Sequence, residues 1–224
     1  MPTGSRRSQA ARPDERAKRG PAAAPGRIRI IGGQWKRTPL AVPAVDGLRP
    51  TPDRVRETLF NWLGQSLDGW RCLDLFAGTG ALGLEAASRG AARVVMVERD
   101  RTACRQIAGL VTRLSAGDRV ELIEGDARDA LDRLRRRAEP PFDLIFLDPP
   151  FSGDWIAGLW PCLNTMVSPA GLAYVESGRP FDPIPDGWRL ERAGSAGQVH
   201  YHLLRRMEPN EETRHGESCL PRNL

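Results

Sequence analysis

The sequence predicts an α/β protein with a doubly wound, mostly parallel sheet, and three observations support this fold class. Apolar segments of strand length recur beyond residue 70, at 71–76, 93–97, 120–123, 143–147 and 171–176. Segments with helical periodicity separate them, at 80–89, 101–115, 127–138 and 154–166. Two further strand-like segments lie between Trp188 and Arg206 and are joined through residues 194–197. The alternation is typical of a parallel sheet with helices on both faces, and the last two segments predict an antiparallel hairpin.

A small N-terminal β-extension is predicted to pack beside this domain. Residues 28–42 contain a run of isoleucines, a Gly32-Gly33 turn and a second apolar segment. A helix is expected to follow, with Thr51 as its N-cap and Pro52 at its first helical position.

The chain therefore divides into three parts. Residues 1–26 are rich in Ala, Pro, Gly and Arg without a hydrophobic period, and are predicted to form a disordered basic arm. Residues 27–206 are predicted to form the folded domain, with residues 27–50 as its extension. The polar residues 207–224 are predicted to form a flexible tail.

The composition narrows the class of protein. Of the 224 residues, 40% are hydrophobic and 27% charged, which is usual for a globular protein, and no apolar run approaches the roughly 20 residues that span a bilayer. Most of the net charge of +5 lies in residues 1–30, which contain eight Lys or Arg and two acidic residues. A basic arm suits a polyanionic partner, although a merely solubilising tail explains it equally well. Four cysteines without a C-x-x-C pair predict free thiols in a reducing compartment and no metal site.

The first motif that could carry chemistry is a glycine-rich turn after a strand. It reads Leu73-Asp74-Leu75-Phe76-Ala77-Gly78-Thr79-Gly80. Gly78 and Gly80 let the backbone approach a ligand, and the following helix offers free N–H groups. The next strand ends in Glu98, whose carboxylate is placed to accept the hydroxyls of a ribose. Asp126 ends the third strand, where it either accepts from an adenine amine or caps a helix. These features fit NAD as well as S-adenosylmethionine.

The motif that separates these cofactors is Asp148-Pro149-Pro150-Phe151, at the end of the fourth strand. Consecutive prolines have no N–H and hold an extended turn, which leaves the carbonyl of Asp148 or Pro149 available as an acceptor. The carboxylate of Asp148 and the ring of Phe151 are expected beside it. Acceptors without donors, next to a ring that can stack a base, fit a neutral amino group on a heteroaromatic ring. Hydride transfer requires none of these features.

This turn resembles the catalytic [Asp/Asn]-Pro-Pro-aromatic motif of methyltransferases that act on exocyclic amines of adenine, cytosine or guanine. Three further segments, Arg29 to Trp35, Leu48 to Trp62 and Ala196 to Val199, narrow the resemblance. Together they make residues 27–206 similar to the bacterial 16S rRNA (guanine(966)-N2)-methyltransferase family. The resemblance implies a class I methyltransferase fold and S-adenosylmethionine as methyl donor. It implies as substrate the N2 amine of a guanine in 16S rRNA, within a small ribosomal subunit or its assembly intermediate, in the cytoplasm.

Three groups of site residues follow. The catalytic turn is expected to accept the amine's N–H bonds and to stack the base, and it comprises Asp148, Pro149, Pro150 and Phe151. The cofactor is expected to contact Asp74, Phe76, Ala77, Gly78, Gly80, Glu98 and Asp126. RNA is expected to contact Arg29, Trp35, Arg54 and Arg56, although Arg54 and Arg56 could instead meet a cofactor carboxylate or form a solvated helix face. We expect a monomer without a metal and without a membrane partner.

Three alternatives remain open. A DNA adenine-N6 methyltransferase can share the Asp-Pro-Pro-Phe turn, but such an enzyme usually needs a target-recognition domain for which this chain has no room. An NAD-dependent oxidoreductase fits the glycine turn and Glu98 but leaves the second motif unexplained. A non-catalytic RNA-binding module explains the basic arm but gives no reason for a cofactor pocket.

Overall fold

The structure, a computed structural model, describes residues 28–42, 51–150 and 155–208. The predicted basic arm, most of the predicted tail and Phe151 lie outside these residues. In chain order the described elements are β1 (Ile28–Arg29), β2 (Pro39–Leu40), α1 (Asp53–Trp62), β3 (Arg71–Asp74), α2 (Ala81–Ser88), β4 (Arg93–Glu98), α3 (Arg101–Arg113), β5 (Val120–Glu124), α4 (Ala127–Arg136), β6 (Phe142–Leu147), α5 (Trp155–Met166), β7 (Val167–Ser177), β8 (Trp188–Ala196) and β9 (Val199–Arg206).

The predicted doubly wound sheet is confirmed. Its strand order is β5-β4-β3-β6-β7-β9-β8, in which β3 to β7 run parallel and β9 pairs antiparallel with both β7 and β8. The chain builds outward from β3 to β5 and then returns to the other side of β3 with β6. The topological switch point therefore lies between β3 and β6, where open α/β sheets bind ligands outside the carboxyl ends of their strands.

Helices cover both faces of the sheet because successive strand residues point to opposite sides. On one face, residues such as Val94, Met96 and Phe146 pack with α1, α2 and α3. On the other face, residues such as Val95 and Ile145 pack with α4 and α5. The near-continuous apolar runs read from the sequence are thus strands buried on both faces.

The C-terminal hairpin is confirmed, but its turn is shorter than expected. Residues 194–196 belong to β8, and Gly197 and Gln198 alone form the connection. Gly194 pairs with Tyr201 of β9 as a strand residue, and a Cβ at this position would come within 2.5 Å of the Tyr201 ring. The glycine there reflects close packing rather than a turn.

The N-terminal extension forms its own two-stranded antiparallel sheet and docks on the C-terminal end of α2. The backbone N–H groups of Ile31 and Gly32 each donate to the carboxylate of Glu85 at 2.7 Å. The N–H of Trp35 donates to Ser88 Oγ at 2.9 Å, and that hydroxyl donates to the carbonyl of Gly32 at 2.6 Å. Side chains of α2 therefore make hydrogen bonds with backbone N–H and carbonyl groups of the extension.

Two arginines pair with the buried carboxylate of Glu85 where the extension meets α2. Glu85 is fully buried and accepts from Arg89 Nε at 2.8 Å and from Arg56 Nη1 at 3.5 Å. We call Glu85, Arg56 and Arg89 the Glu85 cluster. Arg56 also donates to the carbonyls of Thr51 and Arg29, at 3.4 and 2.9 Å. The Glu85 cluster thus ties the extension, α1 and α2 together.

The start of α1 differs from the expectation. The helix begins at Asp53 with Pro52 at the N-cap position, and no side chain caps it. The prediction that Thr51 caps the helix is therefore wrong. Its hydroxyl is instead directed to carboxylates across the sheet edge.

We expect Gly33→Ala to destabilise the fold at the docked turn. Gly33 has φ +72°, and a Cβ there would overlap the carbonyl oxygen of Ser88. The left-handed backbone alone costs an alanine about 1–2 kcal/mol, and the overlap with backbone adds to this. Urea unfolding would measure the change. Gly109→Ala is the matched control, since Gly109 lies in α3 with no atom within 4 Å of an added Cβ, and should stabilise by about 0.5–1 kcal/mol. Equal stabilities of the two variants would contradict the prediction.

Candidate active site

A cleft of about 1020 Å³ opens at the carboxyl edge of the sheet. The ends of all five parallel strands contribute to it, and the β8–β9 hairpin closes one side with residues 196–200. Parallel strands bring their carboxyl ends to one edge, so residues far apart in sequence meet here. Every described residue predicted to bind the cofactor lines this cleft except Gly80, which is the N-cap of α2.

The glycine turn connects β3 to α2 in the geometry that its sequence indicates. Gly78 and Gly80 have φ of +55° and +81°, values that favour glycine. The N–H of Ala77 donates to the carbonyl of Val97 at 2.9 Å, which joins the turn to the end of β4. Phe76 and Ala77 also line the cleft.

Glu98 holds this turn in place. Its Oε2 accepts from the N–H of Gly78 at 2.7 Å, and its Oε1 accepts from the N–H of Asp100 at 2.7 Å. Each carboxylate oxygen has a further lone pair, so these two contacts leave acceptor capacity toward the cleft. Glu98 therefore orders the turn and still presents acceptors to a ligand.

Asp74 is buried at the end of β3 with one oxygen satisfied. Oδ2 accepts from the N–H of Gly83 in the first turn of α2, at 3.0 Å. Among the described residues, Oδ1 is buried and has no hydrogen-bond partner. Burial raises the pKa of Asp74 to about 7, and the N–H groups of Gly83 and Phe76 offset part of that rise. Because Asp74 lines the cleft, Oδ1 is an acceptor available to a cationic donor.

Asp126 caps a helix and also lies at the cleft wall, and its contact with an adenine amine stays a prediction. Its Oδ1 accepts from the N–H of Arg128 at 2.8 Å as the N-cap of α4. It also lines the cleft, next to Gly125 at the end of β5. The capping bond holds the carboxylate in a fixed orientation at the cleft wall.

The Asp148-Pro149-Pro150 turn follows β6 beside the switch point. All three residues line the cleft, with Pro149 buried and Pro150 exposed. Asp148 is half-buried, and its pKa is raised well above its usual value, first by burial and then by the negative charges of Glu176 and Asp74. The turn therefore presents a carboxyl group that keeps its proton to a higher pH than an exposed aspartate does.

The cleft residues Thr51 and Glu176 were not predicted as site residues, and they lie beside Asp148. Thr51 donates to Glu176 Oε1 at 2.9 Å and lies 3.3 Å from Asp148 Oδ2. Tyr174 donates to the same Oε1 of Glu176 at 2.8 Å. The sequence does contain an indication for Glu176, since this acid stands at the end of an apolar strand, as Glu98 and Asp148 do. Nothing in the sequence indicates that Thr51, 97 residues before Asp148, lies beside it.

Two of the four predicted RNA contacts are wrong. Trp35 is 9% exposed, and its ring packs in the core with the guanidinium of Arg119 5.8 Å from its centroid. Arg56 is fully buried in the Glu85 cluster, so its guanidinium is committed to internal partners. Arg29 and Arg54 are exposed near the start of α1, and Arg29 lies 3.6 Å from Asp53. Their contact with RNA stays a prediction.

The cleft is strongly acidic. Its described walls contain one arginine, Arg99, and six carboxylic acids, which are Asp74, Glu98, Asp100, Asp126, Asp148 and Glu176. A group of carboxylates in a partly desolvated cleft favours a cationic ligand and opposes an anionic one.

Within residues 28–42, 51–150 and 155–208, no three His, Cys, Asp or Glu side chains are arranged to hold a metal ion. The cysteines in that part of the chain, Cys72, Cys104 and Cys162, are free thiols. None of the described helices combines the length and the apolar character that crossing a membrane requires.

Comparison with known proteins gives a consistent result. The model of a family described as "Conserved hypothetical protein 95" matches residues 28–205. Ribosomal RNA small subunit methyltransferase D of Escherichia coli K12 is 43% identical over 187 residues, covering 81% of this chain and 91% of that protein. The protein of the same name from Haemophilus influenzae is 40% identical over 184 residues, covering 80% of this chain and 94% of its own length. The solved structure of "Putative methyltransferase yhhF" from Escherichia coli superposes with a TM-score of 0.70 at 41% identity, covering 81% of this chain and 99% of that one.

Proposed function

Because the chain belongs to the conserved hypothetical protein 95 family, we propose that it is an S-adenosylmethionine-dependent methyltransferase acting on the N2 amine of a guanine in 16S rRNA. The seven-stranded sheet with its antiparallel hairpin is the class I methyltransferase fold. The names of the relatives from two bacteria support ribosomal RNA as the substrate. The observation that carries the proposal is the Asp148-Pro149-Pro150 turn at the switch point, beside a carboxylate-lined cleft.

The acidic cleft supports S-adenosylmethionine as the ligand. This cofactor carries a sulfonium, an ammonium and one carboxylate, and so has a net positive charge. Its ribose hydroxyls would donate to Glu98, its adenine amine to Asp126 and its ammonium to the unpartnered Oδ1 of Asp74. When bound, it supplies an electrophilic methyl group.

The same geometry disfavours the NAD-dependent alternative. A dinucleotide places its pyrophosphate on free N–H groups at the glycine turn and the helix N-terminus. Here the N–H of Gly78 is bonded to Glu98 and the N–H of Gly83 to Asp74. A pyrophosphate would have to displace two carboxylates and lie among four others.

The catalytic task is to raise the reactivity of a weak nucleophile. The N2 lone pair of guanine is delocalised into its ring. Asp148, with the Pro149 carbonyl, accepts the amine's N–H bonds and directs the lone pair toward the methyl group. The carboxylate also faces the positive charge that develops on the nitrogen. Holding the two reactants in line contributes up to about 7–11 kcal/mol.

We further propose that Arg29 and Arg54 contact RNA phosphates near the cleft, since both are exposed where α1 begins. Pro52, the N-cap of α1, lines the cleft, which brings this helix end to its mouth. Phosphate contacts would position the RNA without selecting the base. The substrate would be a small ribosomal subunit or its assembly intermediate, and the protein would act on it as a monomer in the cytoplasm.

Single-turnover methylation tests the function directly. Small ribosomal subunits lacking the modification are incubated with the protein and S-adenosylmethionine labelled in its methyl group. Label in N2-methylguanosine of 16S rRNA, identified by mass spectrometry of the nucleosides, is the expected result. N6-methyladenine in DNA would support the runner-up enzyme and refute this substrate. Absence of transfer to any nucleic acid would refute the enzyme itself.

We expect Glu98→Gln to weaken cofactor binding by about 1.5–3 kcal/mol, the cost of losing charge-assisted hydrogen bonds. The amide keeps the size of the side chain and one acceptor for the Gly78 turn. Isothermal titration calorimetry measures the loss. Glu124→Gln is the matched control, because Glu124 ends the adjacent strand with its side chain exposed. Equal affinity of both variants and the wild type would remove Glu98 from the cofactor site.

A further inference from the structure

Two carboxyl groups of the cleft share one hydroxyl. Thr51 Oγ lies 2.9 Å from Glu176 Oε1 and 3.3 Å from Asp148 Oδ2. A threonine hydroxyl has one proton, so it donates to only one of these oxygens. Both contacts can be hydrogen bonds at the same time only if one carboxyl group is protonated. The protonated group then donates to Thr51 Oγ, and the Thr51 hydroxyl donates to the other.

The surrounding donors indicate which carboxyl group holds that proton. Glu176 is 2% exposed, and its Oε1 already accepts from Tyr174 at 2.8 Å as well as from Thr51. Within the part of the chain that the structure describes, the hydrogen-bond contact of Asp148 is the longer one to Thr51. An anion is stabilised by the donors around it, so the charge resides on Glu176 and the proton on Asp148.

The other charges that face this pair agree with that assignment. Arg56 of α1 lowers the pKa of Glu176, although burial raises it more. Asp74 of β3 adds to the rise in the pKa of Asp148, which burial dominates. Burial and the charge of Glu176 raise the pKa of Tyr174, so its hydroxyl remains a donor, and Tyr201 of β9 adds to that rise.

We propose that Thr51 and Glu176 are positioning residues that set the proton state of Asp148 during methyl transfer. In the free protein the pair holds one proton, on Asp148. A cationic cofactor in the cleft favours the release of that proton and leaves Asp148 as the acceptor that the amine requires. The role of Asp148 as acceptor for the amine rests on the proposed function. The placement of the proton on Asp148 in the free protein rests on the contacts of Thr51.

The reaction step then balances in atoms and charge. As the bond between N2 and the methyl carbon forms, the bond from that carbon to sulfur breaks and its electron pair stays on sulfur. The bond from N2 to one of its hydrogens breaks, and the proton passes to Asp148. The proton stays on Asp148, which donates a hydrogen bond to Thr51 Oγ while the Thr51 hydroxyl donates to the Glu176 carboxylate, so the proton state of the free protein is restored. The cleft thus regains a proton as the sulfonium charge disappears.

The first test is the pH dependence of kcat for Glu176→Gln on small ribosomal subunits. Removing the neighbouring negative charge lets Asp148 ionise more readily, so the acid limb of the profile should move to lower pH by about one unit. A purely structural defect would lower kcat at every pH without moving the limb. Glu57→Gln, on the exposed face of α1, is the matched control. Dividing the kcat of Glu176→Gln by that of Glu57→Gln at each pH removes any pH dependence that comes from the ribosomal subunits themselves. An unshifted acid limb in the folded variant overturns the proposal.

The second test removes the bridging hydroxyl. Thr51→Val should lower kcat by about 10- to 100-fold, on the scale of a hydrogen bond to a charged group, with KM for both substrates unchanged. Thr51→Ser keeps the hydroxyl and should stay within about twofold of the wild type. Thr58→Val, at an exposed hydroxyl bonded to its own helix, is the control for loss of a threonine. Wild-type kcat in Thr51→Val overturns the role of the bridge.

A third measurement needs no RNA. Calorimetric binding of S-adenosylmethionine in buffers of different ionisation enthalpy, between pH 6 and 8, counts the protons released. The wild type should release more protons with the cofactor than with its demethylated product, which lacks the sulfonium charge. Glu176→Gln should reduce this difference, and an unchanged difference overturns the proposal. A wrong assignment of the methylated base would leave this result intact, so the two failures are distinguishable.

Discussion

Asp148→Ala is expected to reduce kcat for methyl transfer by about 10²–10³ while leaving the affinity for S-adenosylmethionine close to that of the wild type. The magnitude is that of removing one group that stabilises a developing charge. The selectivity follows from position, since Asp148 follows β6, whereas Glu98 ends β4 and Asp126 comes just after β5. The lost interaction strengthens as the nitrogen becomes cationic, so the effect falls on kcat rather than KM.

Single-turnover rates and calorimetry on the same preparations separate the two effects. Asp118→Ala, at an exposed turn before β5, is the control for loss of an aspartate. Asp148→Asn keeps the shape and one acceptor, and should fall between the alanine variant and the wild type. Normal N2-methylguanosine formation by Asp148→Ala would refute the mechanism.

Glu85→Ala is expected to lower the free energy of unfolding by about 3–5 kcal/mol. The substitution leaves Arg56 and Arg89 buried without their shared carboxylate. It also removes the acceptor of the N–H groups of Ile31 and Gly32. Removing one partner of a buried ion pair costs this much because the remaining charge stays desolvated. Equilibrium unfolding in urea measures the loss.

The control is Glu57→Ala, a glutamate on the exposed face of α1 that should change stability by less than about 0.5 kcal/mol. Because Arg56 donates to the carbonyl of Thr51, we also expect Glu85→Ala to lower methyl transfer beyond its effect on folding. A loss of stability below about 1 kcal/mol would show that the extension is held by its apolar contacts instead.

The alternating strands and helices were predictable from sequence because their signal is local. A strand buried on both faces requires a run of apolar residues, and a helix requires its apolar residues at a period of 3.6. The observed ends of the strands differ from the predicted ones by a few residues. Val167 begins β7 ahead of the predicted residue 171, and β8 continues to Ala196. Such ends depend on pairing with a neighbouring strand, which the local pattern does not contain.

The incorrect predictions share a physical cause. Trp35 and Arg56 are residue types common at RNA interfaces, yet both are buried, since an aromatic ring suits a core and a guanidinium suits a buried carboxylate. Arg56 faces inward because its partners there, Glu85 and the carbonyls of Thr51 and Arg29, come from separate parts of the fold. Thr51 was assigned to a helix cap because its neighbours carry a capping pattern, whereas its partners lie on β7 and just after β6.

The sequence alone determined the parallel sheet, the glycine turn, the acids Glu98 and Asp126, and the Asp-Pro-Pro turn, because each is part of a local pattern in which an apolar strand leads into its own following residues. Tertiary structure alone decided that one Asp74 oxygen is buried without a partner among the described residues, that Glu85 anchors the extension and that Thr51 bridges Asp148 to Glu176. These features depend on burial and on contacts between residues tens of positions apart. Such contacts exist only once the strand order has brought the carboxyl ends of the strands to one edge.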